Sequence, residues 1–440
     1  MEKYLDNAKK ASEAFKCYTQ EDVDKIVKAV HLVGLDNRIT LAKMASKETG
    51  IGKWEDKVTK NILSTQYIYE DIKDLKTVGV ISKDNDKGII EVAHPLGTIL
   101  AIIPSTNPTS TVMFKILIAL KTRNPIIISL PKLAKNVCAY TAKLLYEKAL
   151  EFGAPKHCIQ WINNSTHEKT KQIMQDSRLA LILATGGEKL VKEAYSSGTP
   201  SLGVGPGNVP ALIEGSFDID FAIEQIMISK TFDNGTICAS EQAIIVEKNN
   251  MNNAISSLQR KHAYIVPIAE IKSLEEIIYD KEKGKISSDI VGKSAKFIAK
   301  KANLKAPDNV SLLVVPQDTI GKQYPFSSEI LAPVISLYKA NNFNDAVNIS
   351  MEINNHSGKG HTASIFSNNE DKIMEYSMKM DVSRVIVNSP SAQGAVGGIC
   401  NGLSPSLTLG CGSGGHNSTT DNITAKHLLN IQRIAMPRRS

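Results

Sequence analysis

A chain of 440 residues with 42% hydrophobic and 22% charged residues can build a sizeable core divided over two or three substructures. Aromatic residues are sparse at 5%, and the net charge of +7 comes from scattered lysines, which argues against a nucleic-acid stacking platform and for a solvated surface with a mild attraction for polyanionic ligands. Six cysteines (Cys17, Cys138, Cys158, Cys238, Cys400 and Cys411) follow no C-x-x-C or metal-ligand spacing, so neither a disulfide framework nor a metal site is expected.

The opening stretch MEKYLDNAKKASEAF reads as a charged amphipathic helix without the apolar run of a signal peptide. No stretch approaches the length of a membrane span, so the expectation is a cytoplasmic protein with neither membrane nor nucleic-acid partners. Residues 3–74 read as several helices; in YTQEDVDKIVKAV, Thr19 is the expected N-cap and Asp22 the capping-box acid. The period then changes to two. TVGVIS, the turn KDNDKG and IIEVAHPLG predict a hairpin over 77–95, placed where such hairpins join subunits. From 97 to 215 apolar strands (GTILAIIP, NPIIISLP, CIQWIN, LALILATGG) alternate with helical stretches, the pattern of a parallel sheet covered on both faces. A second α/β alternation runs from about 211 to 400. The last forty residues are rich in Gly and Ser and then helical in DNITAKHLLNIQRIA.

Three glycine stretches compete as ligand loops. GCGSGG at 410–415 satisfies G-x-G-x-x-G, but no βαβ unit can follow it, and a tight loop packed by another segment is the better reading. ATGGEKLV places Thr185, Gly186 and Gly187 between a buried strand and a helix N-terminus, where backbone N–H groups attract phosphate. GVGPGNVPALIE places Gly203, Gly205 and Gly207 before another strand, where a flat ring or thioester can approach the backbone. VGKS at 291–294 lacks the earlier glycine of a phosphate-binding loop, since Ser287 stands there. The stretch TFDNGTICASEQ raises a sharper question. Cys238 follows an Asn-Gly turn and precedes the apolar run AIIVE, so it is either a small core residue or a nucleophile.

Taken together, IIPSTNPTSTVMFKILIALKTRNPIII, ILATGGEKLVKEAYSSGTPSLGVGPGNVP, FDNGTICASEQ, SSEILAPV, GKGHTASIF and LSPSLTLGCGSGG resemble the aldehyde dehydrogenase superfamily. They are closest to its CoA-acylating branch, the aldehyde dehydrogenase half of bifunctional aldehyde-alcohol dehydrogenases. The resemblance spans essentially the whole chain in the family's order. It implies an α/β fold with a doubly wound Rossmann-like cofactor domain (1–210, with the oligomerisation hairpin at 77–95), a catalytic domain (211–400), and a C-terminal segment (401–440) returning to the cofactor domain and to subunit contacts. It implies that no iron-dependent alcohol dehydrogenase half follows Ser440, a separate alcohol dehydrogenase being a possible partner.

The same resemblance makes Cys238 the nucleophile and Asn107 the side-chain donor to the oxyanion. It matches Ile102, Ile103, Pro104, Ser105, Thr106 and Asn107, with Thr185, Gly186, Gly187 and Gly205, to positions near a nicotinamide cofactor. Glu329 matches the carboxylate that binds the nicotinamide ribose, and Leu409 an apolar residue beside the ring. Val204 stands where hydrolytic members carry a Glu base, which favours coenzyme A over water as the acyl acceptor. Ser129 and Leu130 stand where many members carry an adenine-ribose lysine; that leaves NAD or NADP open, with NAD favoured by the closer branch. His361 is a candidate for proton handling because imidazole titrates near neutral pH, against the reading of a satisfied histidine in a Gly-rich turn. Gly414 departs from relatives that usually carry Trp, which implies a wider or different channel. The expected reaction is reversible oxidation of a short aldehyde to its acyl-CoA in a homo-oligomer. Acetaldehyde comes first; butyraldehyde, succinate semialdehyde and sulfoacetaldehyde are alternatives. An assembly protein on the same fold would have lost the Cys238 and Asn107 pair.

Overall fold

The computed structural model describes residues 1–163 and 166–437. Four longer helices, Glu2–Phe15, Gln20–Asp36, Arg38–Thr49 and Trp54–Ile62, occupy the N-terminal region. The second starts as its sequence requires: Thr19 Oγ1 accepts from the Asp22 N–H at 3.2 Å, and Asp22 Oδ2 accepts from the Thr19 N–H at 2.9 Å.

Two parallel sheets follow. The five-stranded sheet runs Ile159–Ile162, Ile126–Ser129, Thr98–Ile102, Leu179–Thr185, Ser201–Val204 in spatial order. The chain winds outward from Thr98–Ile102 in one direction, then returns to its other side at Leu179–Thr185. That reversal is a topological switch point, where parallel sheets open a crevice at their C-terminal edge. The seven-stranded sheet runs Ala263–Ile265, Leu312–Gln317, Val334–Ala340, Glu241–Glu247, Val209–Ile213, Gly360–Phe366, Val382–Val387, again all parallel. The continuous apolar runs become strands buried on both faces, as in the fully buried Thr98–Ile102.

The helix Pro108–Lys121 is buried along its whole length. Its Lys115 lies on the five-stranded sheet, donating to Ile102 O at 2.7 Å and Leu183 O at 2.8 Å, and so ties together the two strand ends that flank the switch point. With no anion beside it, burial drives that ammonium's pKa well down.

The hairpin strands Gly79–Asp84 and Ile89–Pro95 pair antiparallel, and Leu429–Ala435 adds to the second of them as a third strand. Here the expected C-terminal helix gives way. Only Ala425–Leu428 makes a short 3-10 turn, and Leu429–Ala435 is extended. The apolar-polar alternation Leu429-Asn430-Ile431-Gln432 fits a pleated edge, and the exposed edge of Ile89–Pro95 offers unpaired backbone groups that a helix would leave unmet.

Candidate active site

Asn107 is the N-cap of Pro108–Lys121, five residues beyond the end of the strand Thr98–Ile102. Pro108 fixes the first helical φ and has no N–H to leave unpaired, so the chain turns sharply from strand to helix at this point. Cys238 lies between the 3-10 turn Phe232–Gly235 and the strand Glu241–Glu247. The turn is strained. Asp233, Asn234 and Gly235 have φ of 47°, 53° and 72°, left-handed geometry that costs roughly 1–3 kcal/mol at each non-glycine residue.

The strain is held by buried ions. Lys57 donates to Asp233 Oδ2 at 2.8 Å, Lys60 makes a second, closer contact with the same oxygen, and the Lys53 N–H donates to Asp233 Oδ1 at 2.7 Å. Asp56 accepts from the Asp233 N–H at 2.7 Å, and Asn234 Nδ2 reaches Gly292 O at 2.9 Å. Lys57, Lys60 and Asp233 are each no more than 2% exposed. Burial alone would raise the Asp233 carboxyl, but the two ammonium groups outweigh it and hold it below its usual range. Burial pushes Lys60 down to about 8 despite the pull of Asp233. These lysines were read from sequence as part of a solvated surface. Their i, i+3 spacing puts both on one helix face, but nothing local reveals that Asp233, more than 170 residues away, lies against that face.

The residues meet around a cavity of about 370 Å³ at the C-terminal edge of the five-stranded sheet. Its walls are Ile103 to Asn107, Pro131, Thr185 to Gly187, Leu190, Val204 to Pro206, Thr236, Cys238, Glu329 and Leu331. The structure thus brings together Ile103, Pro104, Ser105, Thr106, Asn107, Thr185, Gly186, Gly187, Gly205, Glu329 and Cys238. Ile102, Leu409 and His361 stand behind the wall. Ile102 lends its carbonyl to Lys115, and Leu409 packs with Val204, Ile237 and Cys411.

Cys238 is half-buried, and its thiol is pushed up to about 12 by burial, with Glu329 and Cys411 adding to the rise and Arg384 opposing it. Glu329 is itself raised to about 7 by burial, against the Gly207 N–H it accepts at 2.9 Å and the pull of Lys230. Gly207 has no room for a side chain: a Cβ there would lie 2.0 Å from Cys238 O. Val204 is 3% exposed and brings no carboxylate to this wall. Asn107 Nδ2 reaches Thr236 O at 3.4 Å, a long contact, and Thr106 Oγ1 at 3.1 Å, which leaves the amide able to donate to a better acceptor than Thr236 O.

The expectation that His361 titrates near neutral pH is overturned. It is fully buried, and desolvation with Arg384 nearby pushes it down to about 3. Its Nδ1 pairs with Thr362 Oγ1 at 2.8 Å while Nε2 has no partner. Arg384 donates to His361 O at 2.9 Å and Thr420 O at 3.0 Å and also contacts Gly410 O. A Cβ on Gly360 would lie 1.9 Å from Cys411 O. The 410–415 stretch is therefore a packed loop, held against the strand Gly360–Phe366.

Cysteine, amide and glycine-lined crevice at a parallel-sheet switch point form one arrangement, and residues 1–418 match the aldehyde dehydrogenase family. The chain belongs to that family. Among aldehyde dehydrogenases it is 44% identical over 431 residues to the aldehyde-alcohol dehydrogenase of Clostridium acetobutylicum, covering 97% of this chain and 50% of that protein. The chain thus spans about half the length of the aldehyde-alcohol dehydrogenases it matches. It is 37% identical to the succinate-semialdehyde dehydrogenase (acetylating) of Clostridium kluyveri over 98% of this chain and 94% of that one. An acetylating aldehyde dehydrogenase from Geobacillus thermoglucosidasius superposes with a TM-score of 0.97 at 41% identity, over 100% of this chain and 96% of that one. Among the described residues of the chain, no cluster of three His, Cys, Asp or Glu side chains could hold a metal ion, and no helix is long and apolar enough to cross a membrane.

Proposed function

We propose that the protein is a CoA-acylating aldehyde dehydrogenase that converts a short aldehyde, coenzyme A and NAD to acyl-CoA and NADH, with acetaldehyde as first substrate. The observation that carries this reading is a cavity shared by Cys238 and Asn107; the resemblance adds that Val204, on the same wall, stands where hydrolytic members carry a water-activating acid.

The Cys238 thiol passes its proton to a base, for which Glu329 in the same cavity is the available carboxylate. The thiolate attacks the aldehyde carbonyl, its sulfur–carbon bond forming as the carbonyl π electrons move to oxygen. The Asn107 amide and the Cys238 backbone N–H donate to that oxyanion. A nicotinamide cofactor suits the same cavity, with Thr185, Gly186 and Gly187 at the start of the helix Glu188–Tyr195 for its phosphates, Ile103 to Thr106 along its length and Glu329 for its ribose. When bound, it supplies the hydride acceptor that turns the thiohemiacetal into a Cys238 thioester. The thiol of coenzyme A, a better nucleophile than water at neutral pH, then gives up its proton as its sulfur takes the acyl group, and the departing Cys238 sulfur regains a proton as the thiol. Burial holds His361 neutral, the form that can accept a proton, and its Nε2 has no partner, so it remains the candidate for proton handling behind Gly207.

NAD is favoured over NADP by the resemblance to the acylating branch. A homo-oligomer joined through the sheet of Gly79–Asp84, Ile89–Pro95 and Leu429–Ala435 completes the proposal, with a separate alcohol dehydrogenase as consumer of the aldehyde. NADH formation from acetaldehyde and NAD with and without coenzyme A tests it. Turnover only with coenzyme A is the expected result. Equal turnover without it would reassign deacylation to water, with Glu329 as the carboxylate able to activate it.

A further inference from the structure

We propose that Lys60 is a positioning residue for the reaction: its ammonium, held by Asp233 and Thr236, grips the side-chain oxygen of Asn107 and so turns the Asn107 N–H toward the carbonyl that Cys238 attacks. The inference rests on the reading of Asn107 as the oxyanion donor, and it adds a residue from a helix outside both sheets.

Lys60 Nζ has three protons and three acceptors: the Asp233 carboxylate, Asn107 Oδ1 at 2.6 Å and Thr236 Oγ1 at 2.9 Å. An ammonium cannot accept, so only the oxygen end of the amide can face it. A flipped Asn107 would set N–H against a buried cation and present an acceptor to the developing oxyanion. The N–H end instead lies toward Thr236 O and Thr106 Oγ1, and the long contact to Thr236 O is one that a stronger acceptor can displace. The cation on the oxygen side also draws electron density from the amide and makes its N–H a better donor. Thr236, two residues before Cys238, shares the same ammonium. One side chain therefore fixes both the donor and the loop that carries the nucleophile.

Lys57 provides the internal comparison. It lies one turn earlier and meets the same Asp233 oxygen at 2.8 Å, but its other bond goes to the backbone oxygen of Thr106 at 3.0 Å, and it makes no bond to the Asn107 side chain. Loss of either lysine weakens the buried cluster; loss of Lys60 alone frees the amide.

The experiment compares Lys60→Met, Lys57→Met, Asn107→Ala and the Lys60→Met/Asn107→Ala pair in kcat, aldehyde KM and Tm, at saturating NAD and coenzyme A. Asn107→Ala is expected to lower kcat about 100-fold or more, and Lys60→Met about 10- to 100-fold with aldehyde KM changed less than about 3-fold. The double variant should be no slower than Asn107→Ala within about 2-fold, because Lys60 acts through the amide. Lys57→Met should lose less than about 5-fold at a comparable fall in Tm. Additive losses in the double variant, or an equal kcat loss in Lys57→Met, would overturn the positioning role. Full activity in Asn107→Ala would instead sink the oxyanion reading itself.

If Lys60→Met does not fold, the pH profile still decides. Lys60, facing Asp233, Lys57 and Asp56 and lying over the Phe232 ring, is pushed down to about 8 by burial. Native kcat should then carry a descending limb near pH 8 that Asn107→Ala lacks. The same limb in both proteins would overturn the proposal.

Discussion

The two walls of the cavity are built on opposite principles. On the Cys238 side, a strained turn is pinned by Lys57, Lys60 and Asp56 and by backbone donors, and Gly207 packs directly against the Cys238 carbonyl. On the opposite side, Gly187 and Gly205 have nothing within 4 Å of where a side chain would begin. The wall that carries Cys238 is over-determined; the wall proposed for the cofactor is left open. Strain of this kind persists only where surrounding groups hold it, and the buried ion cluster is what holds it here.

The largest effect tests the reacting wall itself. Cys238→Ala should abolish NADH formation, a loss on the order of 10⁴-fold or more, with the circular dichroism spectrum unchanged. Retained turnover would remove the chemistry from this turn altogether. Gly207→Ala is the next largest. Its new Cβ would meet Cys238 O at 2.0 Å and His361 Nδ1 at 3.3 Å, so the nucleophile's backbone must shift. A displacement of roughly 1 Å at a reacting group costs about 100-fold in kcat, which steady-state kinetics would read directly.

Asp233→Asn probes what holds the turn. It leaves two buried ammonium groups without their anion, a loss of about 3–5 kcal/mol at neutral pH. Because the folded protein holds this carboxyl below its ordinary range, its stabilisation is present at neutral pH and vanishes as pH falls through its lowered folded pKa. Denaturant titrations at several pH values should show the gap between native and variant closing on the acid side. A gap independent of pH would mean that the cluster is not ionised as described.

Much of this was legible in the sequence, and the failures have definite causes. The two parallel sheets follow from continuous apolar strands between helices, and the Thr19 capping box from four residues. Asn107 and Cys238, 131 positions apart, could be placed together only through the family resemblance. Leu429–Ala435 was misread because the edge it completes lies more than 330 residues earlier. His361 and the lysines were misjudged for one shared reason: ordinary charge states assume water, and burial removes it. The sequence carries residue types; whether a titrating group is dry depends on what the fold lays over it.

Glu329 lies between the two walls, and its raised carboxyl allows a smaller prediction of opposite sign to Asp233. A carboxyl whose folded pKa is raised to about 7 contributes stability at acid pH that is lost as pH rises through that value. Glu329→Gln should therefore gain about 1 kcal/mol on the native protein between pH 5 and pH 8.5, after allowing for solvent screening at its half-buried position. Tm measured at the two pH values reads the crossover. A gain already present at pH 5 would mean that the carboxyl is ionised there.

The open wall gives the smallest effect on the fold and the cleanest contrast. Gly205 lies two residues before Gly207 but is not in the left-handed region, and a Cβ there meets nothing within 4 Å. Gly205→Ala should leave Tm almost unchanged, a difference within about 0.5 kcal/mol, since alanine also costs the unfolded chain some freedom. The methyl group projects from a residue that lines the cavity, so KM for the nicotinamide cofactor should rise by a few-fold while kcat stays near native. An unchanged KM would move the cofactor away from this wall. A collapse in Tm would show that Gly205 is packed like Gly207, and the distinction between a built wall and an open one would fail at its sharpest point.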